Sequence, residues 1–89
     1  MVETAETLTW FTNQMAKKLA INSHKGGWKN MSHGDLLRRL GQETAELRRA
    51  IKKGKATNIT AEAADVANFA MMIADNATEY GDKEERNKK

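Results

Sequence analysis

The sequence contains no cysteine and no proline. Without cysteine the chain has neither a disulfide framework nor a thiolate metal site, so helix packing has to supply most of its stability. Hydrophobic runs are also short, since the longest, Phe69–Ala74, is far below the roughly 18 residues that cross a bilayer. The acidic, polar stretch 1–9 is unlike a secretory signal. We therefore expect a soluble, cytoplasmic protein, in the host cytoplasm if a phage encodes it.

The chain has 89 residues, which is enough for one domain. A chain of this size buries only about 60–65% of its unfolded surface, so we expect the core to be completed by homo-oligomerisation, as a dimer or a tetramer. The net charge of +3 suggests nucleic acid as an alternative partner, but much of the excess lies in the stretch 83–89. We predict a domain over residues 1–81 and a charged, flexible tail over 82–89.

Alanine, leucine, methionine, lysine and glutamate are well represented, which favours helices. The first predicted helix spans about 4–21, with Leu8, Phe11, Met15 and Leu19 along one face. A second helix should begin near His33, because Ser32 and Asp35 resemble a capping box, and should end at Lys53 before Gly54.

A third helix should begin at one of the capping residues Thr57, Asn58 or Thr60 and reach about Tyr80 before Gly81. It is apolar around most of its circumference. The prediction is an all-α fold, a helical bundle of three main helices, with an apolar face of the third helix left for a second copy of the chain.

Four acidic residues lie on or beside the apolar faces of the second and third helices. Glu43 falls inside the predicted core face of the second helix and Glu46 at its edge; the other members of that face are Leu36, Leu40, Leu47, Ala50 and Ile51. On the third helix Glu62 falls beside Val66, Phe69 and Ile73, and Asp65 lies a little further round. The result is two acidic pairs, each at i,i+3 spacing, on consecutive helices.

Consecutive helices should pack antiparallel, so the two pairs can converge. Carboxylates about 5 Å apart repel by roughly 3 kcal/mol per pair at an effective dielectric constant near 20. A hard divalent cation that takes several carboxylate oxygens would relieve this repulsion. The alternative is that each pair belongs to a solvated helix face.

The order of these motifs resembles a known family. Gln42-Glu43-Thr44-Ala45-Glu46, followed by Glu62-Ala63-Ala64-Asp65, is similar to the signature of MazG-like all-α nucleoside triphosphate pyrophosphohydrolases. His24-Lys25-Gly26-Gly27-Trp28 and Asp65-Val66-Ala67-Asn68-Phe69 further resemble short, often phage-encoded members. The similarity covers roughly residues 10–78.

The resemblance implies Mg²⁺, with Mn²⁺ as a possible substitute, held by Glu43, Glu46, Glu62 and Asp65, which also form the catalytic set. The implied reaction is attack of a metal-activated water on a (deoxy)nucleoside triphosphate, giving a monophosphate and pyrophosphate. One acid would serve as the general base. Gln42 stands where the family usually has its first glutamate and is not one of the four expected ligands.

Several residues are candidates for binding the substrate. Lys25 is either a solvated loop lysine or the counter-charge for the phosphates, with Arg39 and Lys55 behind it. Trp28 is either a core anchor or a stacking surface for the base, and the same choice applies to Trp10.

Two polar residues leave similar alternatives. His24 either caps a helix end or hydrogen-bonds the substrate. Asn68 either bonds the sugar or base or bonds across an interface.

Two alternatives to this reaction remain at this stage. One is a small basic helical regulatory or nucleic-acid-binding protein without catalysis, in which Leu36–Lys55 is a basic helix and the acids are structural. The other is a phosphoribosyl-ATP pyrophosphatase of related fold, although no sequence feature points to that substrate.

Overall fold

The computed structural model describes residues 2–21 and 27–81. This part of the chain forms three α-helices: α1 (Val2–Ile21), α2 (His33–Lys53) and α3 (Ala56–Gly81). The predicted all-α bundle of three helices is confirmed. Within the described ranges no helix combines the length and the apolar character needed to span a membrane. The tail 82–89 lies outside the described residues, so its separation from the domain stays a prediction.

Both predicted ends of α2 are confirmed. The side chain of Ser32 accepts a hydrogen bond from the backbone N–H of Asp35 at 3.0 Å, as an N-cap residue does. At the other end Gly54 takes a left-handed conformation with φ of 79°, and its N–H donates to the carbonyl of Ala50 at 2.9 Å. A residue without a Cβ adopts this conformation at little cost, so Gly54 ends the helix cleanly.

The predicted start of α3 is wrong, because the helix begins at Ala56 and none of Thr57, Asn58 or Thr60 is its cap. The first backbone bond of the helix runs from Ile59 N–H to the carbonyl of Lys55 at 3.0 Å. Residues 55–58 are exposed, so water can satisfy the free N–H groups of the first turn. No side-chain cap is needed there, and the helix starts directly after the turn.

Helix α3 is the centre of the bundle. It packs against both α1 and α2, and within the described ranges α1 and α2 do not pack against each other. The two-residue turn at Gly54 and Lys55 makes α2 and α3 an antiparallel helical hairpin. A space therefore remains between α1 and α2, over the surface of α3.

Few side chains are buried in this single chain. The buried apolar residues of the described part are Leu36, Ala50 and Ala64, and two asparagines, Asn68 and Asn76, are buried beside them. Large apolar side chains remain exposed on α1 and α2: Leu8, Trp10, Ile21, Leu37 and Ile51. Among the residues of α3 whose burial is described, 56–78, the exposed apolar side chains are all alanines: Ala56, Ala70, Ala74 and Ala77. The apolar surface left uncovered thus lies more on α1 and α2 than the sequence predicted.

The core face of α2 matches the prediction except at Ile51, which is 57% exposed. Leu36 and Ala50 are buried, and Leu40 and Leu47 are half-buried, at successive steps of four, seven and three residues along the helix. Ile51 lies in the last turn of α2, where residues 51–54 are all exposed.

Candidate metal centre

The α2–α3 hairpin brings three of the four predicted acids together. Glu43 lies on the inner face of α2, opposite Glu62 and Asp65 on α3, and all three are half-buried. One carboxylate oxygen from each residue lies within 4.8 Å of the other two. We call these three residues the acidic triad. Its donors are all oxygens, which suits a hard divalent cation.

The pKa of Glu43 shows the electrostatic effect of bringing the three carboxyl groups together. Burial raises the pKa of its carboxyl group, and the neighbouring charges of Asp65 and Glu62 raise it further. Arg39 acts in the opposite direction, and Glu46 adds a smaller increase. The charged form of Glu43 is therefore disfavoured by its burial and by the carboxylates of Asp65 and Glu62.

A lysine that the sequence analysis did not select lies against the triad. Lys18 of α1 places its Nζ 3.4 Å from Oδ2 of Asp65. The sequence does indicate that Lys18 faces the core, because it lies seven residues after Phe11 and three after Met15, on the apolar face of α1. A charged residue on a core-facing stripe indicates a buried partner, which here is Asp65.

Arg39 also approaches the site, as the sequence analysis proposed. Its guanidinium carbon lies 5.2 Å from the centre of the Phe69 ring, within cation–π distance.

A cavity of about 250 Å³ opens beside the triad, over α3 and between α1 and α2. Lys18, Arg39, Glu43, Asp65 and Asn68 supply its polar lining. The apolar lining comes from Leu19, Trp28, Met31, Phe69 and Met72. Acids, cations and two aromatic rings thus face one space, and an apolar pocket with a few convergent polar groups is typical of a ligand-binding site.

Trp28 is held in the cavity wall by the far half of α3. Its indole Nε1 donates to Oδ2 of Asp75 at 2.9 Å, and the same oxygen accepts from Lys29 at 2.5 Å. Next to it the fully buried Asn76 donates from Nδ2 to the backbone carbonyls of Trp28 at 2.9 Å and Met31 at 3.3 Å. The sequence analysis missed both Asp75 and Asn76 as supports of Trp28. Because its N–H is engaged, Trp28 offers the cavity the ring rather than a donor.

Asn68 anchors α1 from the opposite side of the cavity. It is 3% exposed, and its Nδ2 donates to the carbonyl of Met15 at 3.0 Å. Its Oδ1 is buried and has no hydrogen-bond partner. Buried amide oxygens are normally satisfied, so this acceptor lacks the partner that such an atom usually has.

A family model described as the MazG nucleotide pyrophosphohydrolase domain matches residues 31–84, more than half of the chain. The chain belongs to this family. The MazG match contains both acidic pairs and the whole α2–α3 hairpin. Comparison with curated proteins gave no match, and neither did comparison with solved structures.

Of the acids in the MazG signature, Glu46 stands apart from the triad. Its Oε2 accepts from Arg49 at 2.6 Å, one turn along the exposed side of α2. It is near enough to influence the pKa of Glu43, although it does not share the 4.8 Å cluster. Gln42 is exposed and likewise contributes nothing to the triad.

The remaining candidate residues are not placed in the lining of the cavity. His24 and Lys25 lie outside the described residues, so their roles stay predictions. Trp10 is 50% exposed and does not line the cavity beside the triad. The centre of its ring lies 5.9 Å from the centre of the Phe11 ring, and the two rings are tilted relative to each other. Lys55 is exposed at the hairpin turn and does not line the cavity either.

Proposed function

We propose that this protein hydrolyses nucleoside triphosphates, including deoxynucleotides, to a nucleoside monophosphate and pyrophosphate in an Mg²⁺-dependent reaction. The observation that carries the proposal is the acidic triad within a hairpin matched by the MazG nucleotide pyrophosphohydrolase domain. The adjoining cavity supplies cations for phosphate and an aromatic surface for a base. A nucleotide substrate also agrees with a cytoplasmic location.

Glu43, Glu62 and Asp65 would hold the metal ion. Their oxygens are clustered, and a divalent cation would offset both the burial and the neighbouring charges of Asp65 and Glu62 that raise the pKa of Glu43. When bound, Mg²⁺ polarises phosphate oxygens and lowers the pKa of a coordinated water, and Mn²⁺ can take its place. We assign Glu46 as a further ligand, which requires its side chain to leave Arg49 and rotate toward the triad.

The chain's own residues bind and orient the substrate. One carboxylate of the four acids Glu43, Glu46, Glu62 and Asp65 accepts the proton of the attacking water. Trp28, held by Asp75, presents its ring to the base, and the free Oδ1 of Asn68 accepts from the sugar or base. Lys25 is proposed to contact the phosphates, and His24 a phosphate or the base. We do not assign a preferred nucleotide from these contacts.

We also propose that a second copy of the chain completes the core. Only three apolar residues are buried in the described part of the protomer, and five large apolar side chains are exposed. Exposed apolar side chains of this size on a small helical protein are best covered by self-association.

Product analysis tests the proposed reaction. The purified protein is incubated with a panel of nucleoside triphosphates, with Mg²⁺ or with a chelator. We expect monophosphate and intact pyrophosphate, rather than diphosphate and phosphate, and no turnover with chelator. If a folded, Mg²⁺-stabilised protein leaves every nucleotide intact, the proposed reaction is wrong. Affinity for DNA or RNA that falls steeply with salt would then support the regulatory alternative.

A further inference from the structure

We propose that Lys18 is a triphosphate-binding residue that neutralises the acidic triad until the metal ion arrives. The proposal rests on the proposed function, and it adds a residue of α1 to a site otherwise built from the hairpin. The same ammonium group would serve two anions in succession, first Asp65 and then the phosphates.

The geometry gives Lys18 access to both partners. Its Nζ lies 3.4 Å from Oδ2 of Asp65, with the side chains of the two residues 25% and 16% exposed. Lys18 also lines the cavity beside Trp28 and Asn68. A lysine head on a flexible four-carbon stem can move between neighbouring anions without movement of the backbone.

Lys18 differs from the other cation of the cavity lining. Arg39 lies over the face of the Phe69 ring and acts on Glu43. Its planar group is thus already placed against another side chain. Lys18 makes its ion pair with a member of the triad, at a position that a divalent cation would compete for.

Charge balance explains the proposed exchange. The triad carries three negative charges when ionised, and Lys18 offsets one of them through Asp65. A divalent cation at the triad would take over that role and repel the ammonium group. A triphosphate entering the cavity would then be the nearest anion without a partner, and a charge-assisted bond to it is stronger than a neutral one.

The proposal predicts opposite changes in two affinities when Lys18 is removed. Mg²⁺ should bind more tightly, because its competitor for Asp65 is gone. Triphosphate should bind more weakly, because one of its cationic partners is gone. A residue that only supports the packing of α1 would weaken both, so the signs separate the two roles.

The experiment compares the full-length Lys18→Gln variant with Lys17→Gln, which removes the same charge from an exposed neighbouring position on α1. Mg²⁺ is titrated by thermal shift without nucleotide, and inorganic triphosphate is then titrated at saturating Mg²⁺. For Lys18→Gln we expect the Mg²⁺ half-saturation concentration to fall about three- to tenfold and triphosphate affinity to fall on the order of tenfold. Lys17→Gln should change neither, and Lys18→Arg should retain most of the triphosphate affinity.

Weaker Mg²⁺ binding by Lys18→Gln, or unchanged triphosphate affinity, would overturn the proposal. If Lys18→Gln folds poorly, Lys18→Met keeps an unbranched apolar stem and the same two titrations decide. Neither titration uses hydrolysis, so a protein that binds Mg²⁺ and inorganic triphosphate but cleaves no nucleotide contradicts the proposed function alone. Failure of the wild-type protein to bind inorganic triphosphate contradicts the assignment of Lys18.

Discussion

The α2–α3 hairpin and the rest of the described chain contribute to one cavity in different ways. The hairpin supplies the acidic triad and lies within the segment matched by the MazG domain. Helix α1 and residues 27–30 lie outside that match and supply Lys18 and Trp28. The acids converge because two consecutive helices fold back on each other, whereas Lys18 and Trp28 reach the cavity only through packing on α3.

The hairpin and the rest of the described chain are also held in place by different kinds of contact. The hairpin depends on a local turn at Gly54. Helix α1 is connected to α3 by the hydrogen bond from Asn68 to the carbonyl of Met15. The segment after residue 26 is connected to α3 by the hydrogen bonds of Trp28 with Asp75 and Asn76. Metal binding should therefore respond to changes in the hairpin, and substrate affinity to changes in these distant contacts.

The largest effect should come from Asp65→Asn, which replaces one charged carboxylate of the triad by a neutral amide. We expect activity to fall on the order of 100-fold or more, because even changes beside metal ligands cost ~10–100-fold. The rise in Tm with Mg²⁺ should disappear as well. Gln42→Ala is the control, since Gln42 is exposed and outside the triad. Equal losses for the two variants would show that the hairpin does not hold the metal ion as we propose.

A smaller effect is expected from Glu46→Gln. Glu46 pairs with Arg49 in the structure, so it must rearrange before it can act as a ligand. We expect a loss of activity on the order of tenfold and weaker stabilisation by Mg²⁺. Arg49→Gln, which frees Glu46, should leave activity intact. An unchanged Mg²⁺ titration for Glu46→Gln would limit the protein ligands to the triad.

Outside the hairpin, Asp75→Ala should act through Trp28. The variant removes the acceptor of the indole N–H, and leaving such a donor unsatisfied costs about 1–3 kcal/mol. We expect KM to rise several-fold with less change in kcat, because the ring is less well positioned for the base. Asp75→Asn keeps an acceptor and should lie close to wild type. A loss of kcat without a change in KM would argue against a role for Trp28 in base binding.

The smallest effect concerns pH. The folded-state pKa of Glu43 is raised, so between its usual value and the raised one the folded protein binds more protons than the unfolded chain. Stability contributed by this group is present at low pH and is lost as pH rises through the folded-state pKa.

Thermal melts of metal-free protein across mildly acidic pH should show this loss. Glu43→Gln should remove the Glu43 contribution to it, and saturating Mg²⁺ should weaken it because the cation favours the ionised form. The effect is small because Glu43 is only half-buried and Arg39 opposes the shift. A rise in the stability of the metal-free protein over the same pH range, unaltered by Glu43→Gln, would contradict the electrostatic description of the triad.

What the sequence by itself determined is the local part of this protein. Ser32 and Gly54 set the ends of α2, because capping and left-handed turns depend on residues a few positions apart. The i,i+3 spacing of Glu62 and Asp65, with Glu43 on the facing helix, was enough to predict that acids would meet across a hairpin.

Only the tertiary structure decided which side chains meet over longer distances. It placed Lys18 against Asp65 and fixed Trp28 on Asp75. Helical periodicity gives the face on which a residue lies, but the partner it meets depends on how helices from distant parts of the chain dock. For this protein the acids of the proposed metal site could be read from two helices, and their cationic and aromatic neighbours required the third helix and its docking.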